Sequence, residues 1–213
     1  ALQDTLQAAG VDFSRTVRTW LFADDILSWY DQLNRGRDRF FEQHDVFNQL
    51  VPASTGVGIA NPSGSALATE LLAVRPLNGE VRIHRVSSPL QCEALDYKSS
   101  FSRAVRIQTP DHARLYVSGT ASIAPDGTTA HVGDCARQIE LTMQVVEALI
   151  ANGSMDWTDS VRAIAYFKDS RDFELFDAYC QKIGIHLPHV KVEADVCRDD
   201  LLFELELELL SLL

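Results

Sequence analysis

The sequence predicts a chain of α-helices and β-strands, arranged as one and a half copies of a β-β-α-β-α-β unit. Three observations carry that prediction. Ala9-Gly10-Val11-Asp12-Phe13-Ser14 reads onto Gly153-Ser154-Met155-Asp156-Trp157-Thr158, and Val17-Arg18 reads onto Val161-Arg162, at a constant offset of 144 residues. Apolar residues recur at three- and four-residue steps in Ile139, Met143, Val146 and Ile150, the spacing of an amphipathic helix. From Leu201 onward, Phe203, Leu205, Leu207 and Leu209 alternate with Glu204, Glu206 and Glu208, the spacing of a strand with two unlike faces.

Taken in order, the first copy opens with a helix over Leu2 to Ala9. A strand over Val17 to Phe22 follows, rich in β-branched and aromatic residues, then a helix from about Ile26 to Phe41. Pro52 marks a loop, and Leu67 to Val74 is the closing strand. The second copy adds strands over Phe101 to Gln108 and Arg114 to Ile123, with Pro110-Asp111-His112 and Pro125-Asp126-Gly127 as turns. Its helix over Cys135 to Asn152 has Asp134 placed as N-cap. A strand over Val161 to Phe167, a helix over Phe173 to Ile183, a loop at Pro188 and a strand over Leu201 to Leu210 complete it. The expected division is residues 1–86 for a partial unit, truncated at its N-terminal end, and 87–213 for a complete one.

Composition removes several classes of function. The 213 residues carry 19 Lys and Arg against 30 Asp and Glu, a net charge of −11 that opposes binding to phosphate backbones, so no nucleic-acid partner is expected. Leu201 to Leu213 is the longest apolar candidate, and its three glutamates break it, so no membrane span is expected. No basic segment precedes an apolar run at the start, so no signal peptide is visible. Cys92, Cys135, Cys180 and Cys197 form no CxxC pair and read as reduced thiols of a cytoplasmic protein. His186 and His189 stand apart from paired cysteines or an HExxH helix, so no metal site is expected. Gly56-Val57-Gly58 has Asn61 where a dinucleotide fingerprint needs glycine.

The phrases Val17-Arg18-Thr19, Tyr166-Phe167-Lys168-Asp169 and Leu202-Phe203-Glu204-Leu205-Glu206 resemble the RidA (YjgF, reactive-intermediate deaminase) superfamily. Four further phrases look like its chorismatase branch. They are Ser99-Ser100-Phe101-Ser102-Arg103-Ala104, Val117-Ser118-Gly119-Thr120-Ala121-Ser122-Ile123, His131-Val132-Gly133-Asp134 with Gln138, and Ala194 through Leu202. The resemblance implies an α+β, chorismate-mutase-like fold: a mixed sheet with helices on one face, units gathered as a homotrimer or pseudo-trimer, and a ligand cleft between neighbouring sheets. It also implies hydrolysis of an enol ether in a small, chorismate-like carboxylate, releasing pyruvate. Such acid-assisted hydrolysis requires no metal or organic cofactor.

Glu204 matches the family's catalytic glutamate, and a carboxyl group held partly dry can carry a proton near neutrality. Arg103 matches a residue that holds a substrate carboxylate, which a guanidinium grips with two parallel hydrogen bonds. Tyr97 is a further donor to that anion. Gly119 and Thr120 are expected to offer backbone N–H groups to the substrate, and Arg198 to face the cleft or pair with Asp199 or Asp200. Each also has a plain structural reading: a solvated strand face, a surface ion pair, a bulge. For Glu206 and Glu208 the solvated face is the expectation. Arg18 and Arg162 sit at equivalent repeat positions, which suggests a shared role in satisfying carboxylates beside the sheet. Two other readings remain. Imine deaminases of the superfamily carry an Arg before the closing strand, where this chain has His189 and Lys191, which weakens a deaminase reading. A non-catalytic binding or assembly protein of the same fold is the third.

Overall fold

Two mixed sheets face one another across a buried polar layer. The structure is a computed structural model that describes residues 2–77, 80–97 and 99–213, with Tyr97 described by its backbone alone. The first sheet is built from β1 (Thr16–Ala23), β2 (Ala53–Gly58) and β3 (Leu67–Ala73), with α1 (Leu2–Ala8) and α2 (Ile26–Gln43) beside it. The second holds β4 (Arg82–Val86), β5 (Ala104–Gln108), β6 (His112–Ala121), β7 (Ser160–Phe167), β8 (His189–Glu193) and β9 (Phe203–Leu212), with α3 (Cys135–Asn152) and α4 (Phe173–Ile183). Strand order is β2-β1-β3 in the small sheet and β4-β5-β6-β9-β7-β8 in the large one. The small sheet has the same local order as β8-β7-β9. In each, the outer pair is parallel (β1 with β2, β7 with β8) and the other pair antiparallel (β1 with β3, β7 with β9).

Local chemistry explains the helices. The Asp134 carboxylate accepts from the Arg137 N–H at 3.1 Å and caps α3. Ile139, Met143, Val146 and Ile150 are all buried on the face that α3 turns to the sheet. Gly184 ends α4 with a φ of 72°, a left-handed conformation that a side chain would strain. Asp12 and Asp156, equivalent in the repeat, cap equivalent 3-10 turns by accepting from the Ser14 and Thr158 N–H groups at 2.9 and 2.7 Å.

Several strands depart from the sequence expectation. β2 and β8 occupy stretches expected to be loop after Pro52 and Pro188. Both are short and lie at sheet edges, so a proline just ahead of them costs no ladder hydrogen bond. β4 was not anticipated either; it pairs with β5, so the large sheet begins before residue 87. The closing strand also starts two residues later than expected, at Phe203.

The main core lies between the large sheet and its two helices. Phe203, Leu205, Leu207 and Leu209 point into it from β9 and meet Phe167, Phe176, Leu149 and Met143. Phe203 is fully buried, with ring centroids of Phe167 and Phe176 at 5.0 and 5.4 Å. Among the described residues no helix is long and apolar enough to cross a membrane. Truncating Phe203 to alanine leaves a cavity the two neighbouring rings cannot fill. The expected cost is about 3–5 kcal/mol of unfolding free energy, read as a lowered midpoint in urea with an unchanged slope.

Candidate active site between the two sheets

The second face of β9 makes the site. Two of its carboxyl groups meet the small sheet and not water: Glu206 is fully buried, which corrects the solvated position expected for it, and Glu204 is 5% exposed, while Glu208 is partly exposed. Arg18 on β1, also buried, donates to Glu206 at 2.9 Å and to the Thr55 hydroxyl of β2. Trp20 Nε1 adds a hydrogen bond to Glu206 at 3.3 Å, and the Arg18 guanidinium lies 4.8 Å from the Trp20 ring. Arg162 on β7 reaches the other Glu206 oxygen at 2.9 Å and Glu208 at 3.0 Å. The two arginines at equivalent repeat positions therefore end on one carboxylate. A buried anion is tolerated only when paired in this way.

Gly119 marks a bulge. β6 and β9 are in register at Val117 with Leu207 and again at Thr120 with Leu205, so Ser118 and Gly119 stand against the single residue Glu206. A Cβ built on Gly119 would fall 2.0 Å from Glu204 Oε1 and 3.3 Å from Thr55 Cγ2. Only glycine leaves room for the Glu204 carboxyl group there. The Gly119 N–H is occupied, donating to the Thr55 hydroxyl at 3.0 Å. Thr120 returns to the helix-facing side opposite Leu205, where its hydroxyl donates to the Ser118 carbonyl at 2.9 Å. Of the two residues expected to offer N–H groups to a substrate, Gly119 lines the cleft with its N–H already used by Thr55, and Thr120 is not among the lining residues.

That cleft has a volume of about 900 Å³. α2 forms one side through Tyr30, Arg37 and Asp38, while Gly119, Ala121 and Glu204 form the other. Arg103 and Arg198 lie along it as well, so four of the six residues expected from sequence share one cavity. Arg103 is 2% exposed; its Nε and one Nη donate to the Cys92 carbonyl at 3.0 and 2.6 Å, which fixes the guanidinium plane. Arg198 donates to the Gly127 carbonyl at 2.8 Å. The Tyr97 side chain lies outside the described residues. Gln138, named in the sequence only as part of a motif and given no role there, is fully buried on α3. Its amide donates to Asp200 O at 2.9 Å and accepts from Leu202 N–H at 2.8 Å, holding the segment that delivers Glu204. His189 and Lys191, where a deaminase would place its Arg, face Asp177 of α4 at 3.3 and 2.5 Å.

Electrostatics single out Glu204. Burial pushes its carboxyl group up to about 8, with the Glu206 charge adding to the rise and Arg18 opposing it. The group thus holds its proton at neutral pH, whereas Glu206 is clamped by two guanidiniums. The Cys197 thiol, also on the cleft wall, is pushed up to about 12 by burial and by Glu204, so it is not a thiolate nucleophile near neutrality. Among the described residues no group of three or more His, Cys, Asp or Glu side chains is placed to hold a metal ion.

Two α/β layers thus face one another across a cleft lined by the Glu204 carboxyl group and the Arg103 and Arg198 guanidiniums. The chain is similar in sequence to chorismate-acting proteins, and its fold is that of chorismatase and of RidA-like proteins. It is 31% identical over 222 residues to a 3-hydroxybenzoate synthase of Streptomyces hygroscopicus, covering 91% of this chain and 63% of that protein. To a chorismatase of the same organism it is 24% identical over 213 residues, covering 89% of this chain and 60% of the relative. The chain thus spans about three fifths of the length of the curated relatives it matches. A chorismatase crystal structure has the same fold, with a TM-score of 0.82 at 20% identity, over 98% of this chain and 67% of that one. An Entamoeba histolytica protein described as a putative endoribonuclease L-PSP matches 60% of this chain and 98% of its own, with a TM-score of 0.51 at 21% identity. No protein-family model matches the chain.

The raised Glu204 pKa has a consequence for stability. Its folded value of about 8 lies above the ordinary 4.5, so its contribution to stability is complete below pH 4.5 and is lost as pH rises through about 8. Glutamine cannot ionise. Glu204→Gln is therefore expected to gain thermal stability relative to the parent as pH rises from about 5 to 9, checked by melting temperatures across that range.

Proposed function

We propose that the cleft binds a small, chorismate-like carboxylate and that the protein hydrolyses its enol ether to release pyruvate. The observation that carries this reading is that a proton-holding carboxyl group, Glu204, and a buried guanidinium, Arg103, line the same cavity. The names of the two Streptomyces hygroscopicus relatives support the substrate class.

The chemistry follows from the residues. An enol ether is protonated at its terminal methylene carbon, which leaves an oxocarbenium ion stabilised by the ether oxygen. Glu204 is neutral at pH 7 and supplies that proton; its carboxylate then steers a water onto the cationic carbon. The resulting hemiketal collapses to pyruvate and the free ring alcohol, with the proton balance restored at Glu204. Arg103 holds a substrate carboxylate, and Arg198 stands on the same wall as a second cation. Burial of Glu204 and Arg103 strengthens such attractions by limiting access of water. We also read residues 1–86 and 87–213 as two related units of one fold, with β4 joining the second sheet, and the assembled protein as a trimer or pseudo-trimer acting in the cytoplasm.

Incubation with chorismate is expected to release pyruvate in a one-to-one ratio with the ring product. No pyruvate from the full-length protein would reject this function. Glu204→Gln is expected to lose about 10²–10⁴-fold in turnover with its fold intact. The parent's activity is expected to fall as pH rises through about 8, where Glu204 gives up its proton. Arg103→Lys is expected to raise KM about tenfold or more, through loss of a charge-assisted hydrogen bond worth about 1.5–3 kcal/mol, measured by initial rates against substrate concentration.

A further inference from the structure

The buried pair of Arg18 and Glu206 belongs to no step described above, yet it lies directly behind the acid. Glu204 and Glu206 are two residues apart on β9 and point to the same face. Two carboxyl groups so placed cannot both ionise cheaply, and their surroundings decide which one holds the proton. Those surroundings are unequal. Glu206 receives Arg18 and Arg162 on its two oxygens and Trp20 besides. Glu204 instead fills the space over Gly119, whose N–H is tied through Thr55 Oγ1 to the same Arg18.

We propose that Glu206 is a positioning residue for the acid: the charge that Arg18 and Arg162 tie at Glu206 disfavours ionisation of the neighbouring Glu204, an effect that Arg18 itself partly offsets. The inference rests on the reading of Glu204 as the acid. It goes beyond that reading by assigning to Glu206 a part in the proton-holding state that burial of Glu204 begins, and to the small sheet, which supplies Arg18, one of the two clamps that hold Glu206 in place.

Other ionisable groups face Glu204 and enter the balance. β7 contributes Tyr166, held protonated by burial and by both glutamates. The segment before β9 contributes Cys197, Arg198 and Asp199, and the approach to β5 contributes Arg103. From α2 come Tyr30, raised by burial, with Asp31, Arg35, Arg37 and Asp38 further along the cleft. Among these, Glu206 acts on Glu204 as the nearby anion and Arg18 as the opposing cation.

The test reads Glu204 directly, so it does not depend on what the substrate is. The infrared carbonyl band of protonated Glu204, identified by its loss in Glu204→Gln, is followed against pH in the full chain. Glu206→Gln removes the like charge and is expected to lower the midpoint by about one pH unit or more. Arg18→Gln removes the opposing cation and is expected to raise it. A purely structural pair would loosen the cleft in both variants, admit water, and lower the midpoint in both. That result, or no movement in either, overturns the proposal. Each single variant leaves a buried charge with fewer partners, and where one does not fold the double variant Arg18→Gln/Glu206→Gln decides. Its two deletions act in opposite directions, so the midpoint is expected within about one pH unit of the parent. A fall into the ordinary carboxylate range overturns the proposal. Absence of chorismate turnover in the parent would reject the proposed function and leave these outcomes untouched.

Discussion

The contact on which the rest depends is the one between Arg18 and Glu206. A sheet with leucines on one face and glutamates on the other would ordinarily cover the first face and wet the second. Here the second face is covered by another sheet, and the glutamates become interior groups. Burying a carboxylate without partners costs several kcal/mol. The arrangement holds because β1 carries a guanidinium opposite Glu206 and β7 carries a second one beside it. Tyr166, Val57 and Ala194 pack nearby as apolar cover. With Glu206 satisfied, the sheets can approach closely enough to dry the space around Glu204.

How much of this was legible in the sequence depends on which physical signal each element carries. α3 and α4 have the expected bounds because their periodicity and caps are local properties. β9 was legible as a strand with unlike faces, but not what lay on its polar face. Alternation says which residues share a side; it does not say whether that side meets water or another layer. The one hint was in β1, where a charged residue, Arg18, interrupts a strand of Thr, Val and Trp and recurs as Arg162. β2 and β8 were hidden for another reason. β2 is stabilised by pairing with β1, and Ala53-Ser54-Thr55-Gly56 has little intrinsic strand preference, whereas β8 pairs with β7 and its Val190 and Val192 alternation is too short to stand out after Pro188. The cleft residues Glu204, Arg103, Gly119 and Arg198 were reached through motif resemblance, whereas Gln138's grip on the segment before β9 is a long-range contact that no spacing discloses.

The bulge in β6 ties the packing of the sheets to the chemistry of the site. In a regular strand, residues 117 to 121 would alternate sides, and every residue would meet one partner on β9. Setting Ser118 and Gly119 together against Glu206 lets two consecutive residues serve the polar side. Ser118 uses its hydroxyl there, accepting from Ser54 N–H at 2.9 Å and donating to Ser102 O at 2.5 Å, which joins β2 to the segment that carries Arg103. Gly119 contributes its missing side chain, and the Glu204 carboxyl group fills that space. After the bulge Thr120 is back on the helix side, and Ala121, opposite Glu204, keeps the cleft wall low. A strand without the extra residue would set Gly119 out of step with Glu204 and point a side chain at it instead. The acid's position is therefore fixed by register as much as by its own strand, and the hydroxyls of Thr55 and Ser118 carry that register across to the sheet that supplies Arg18.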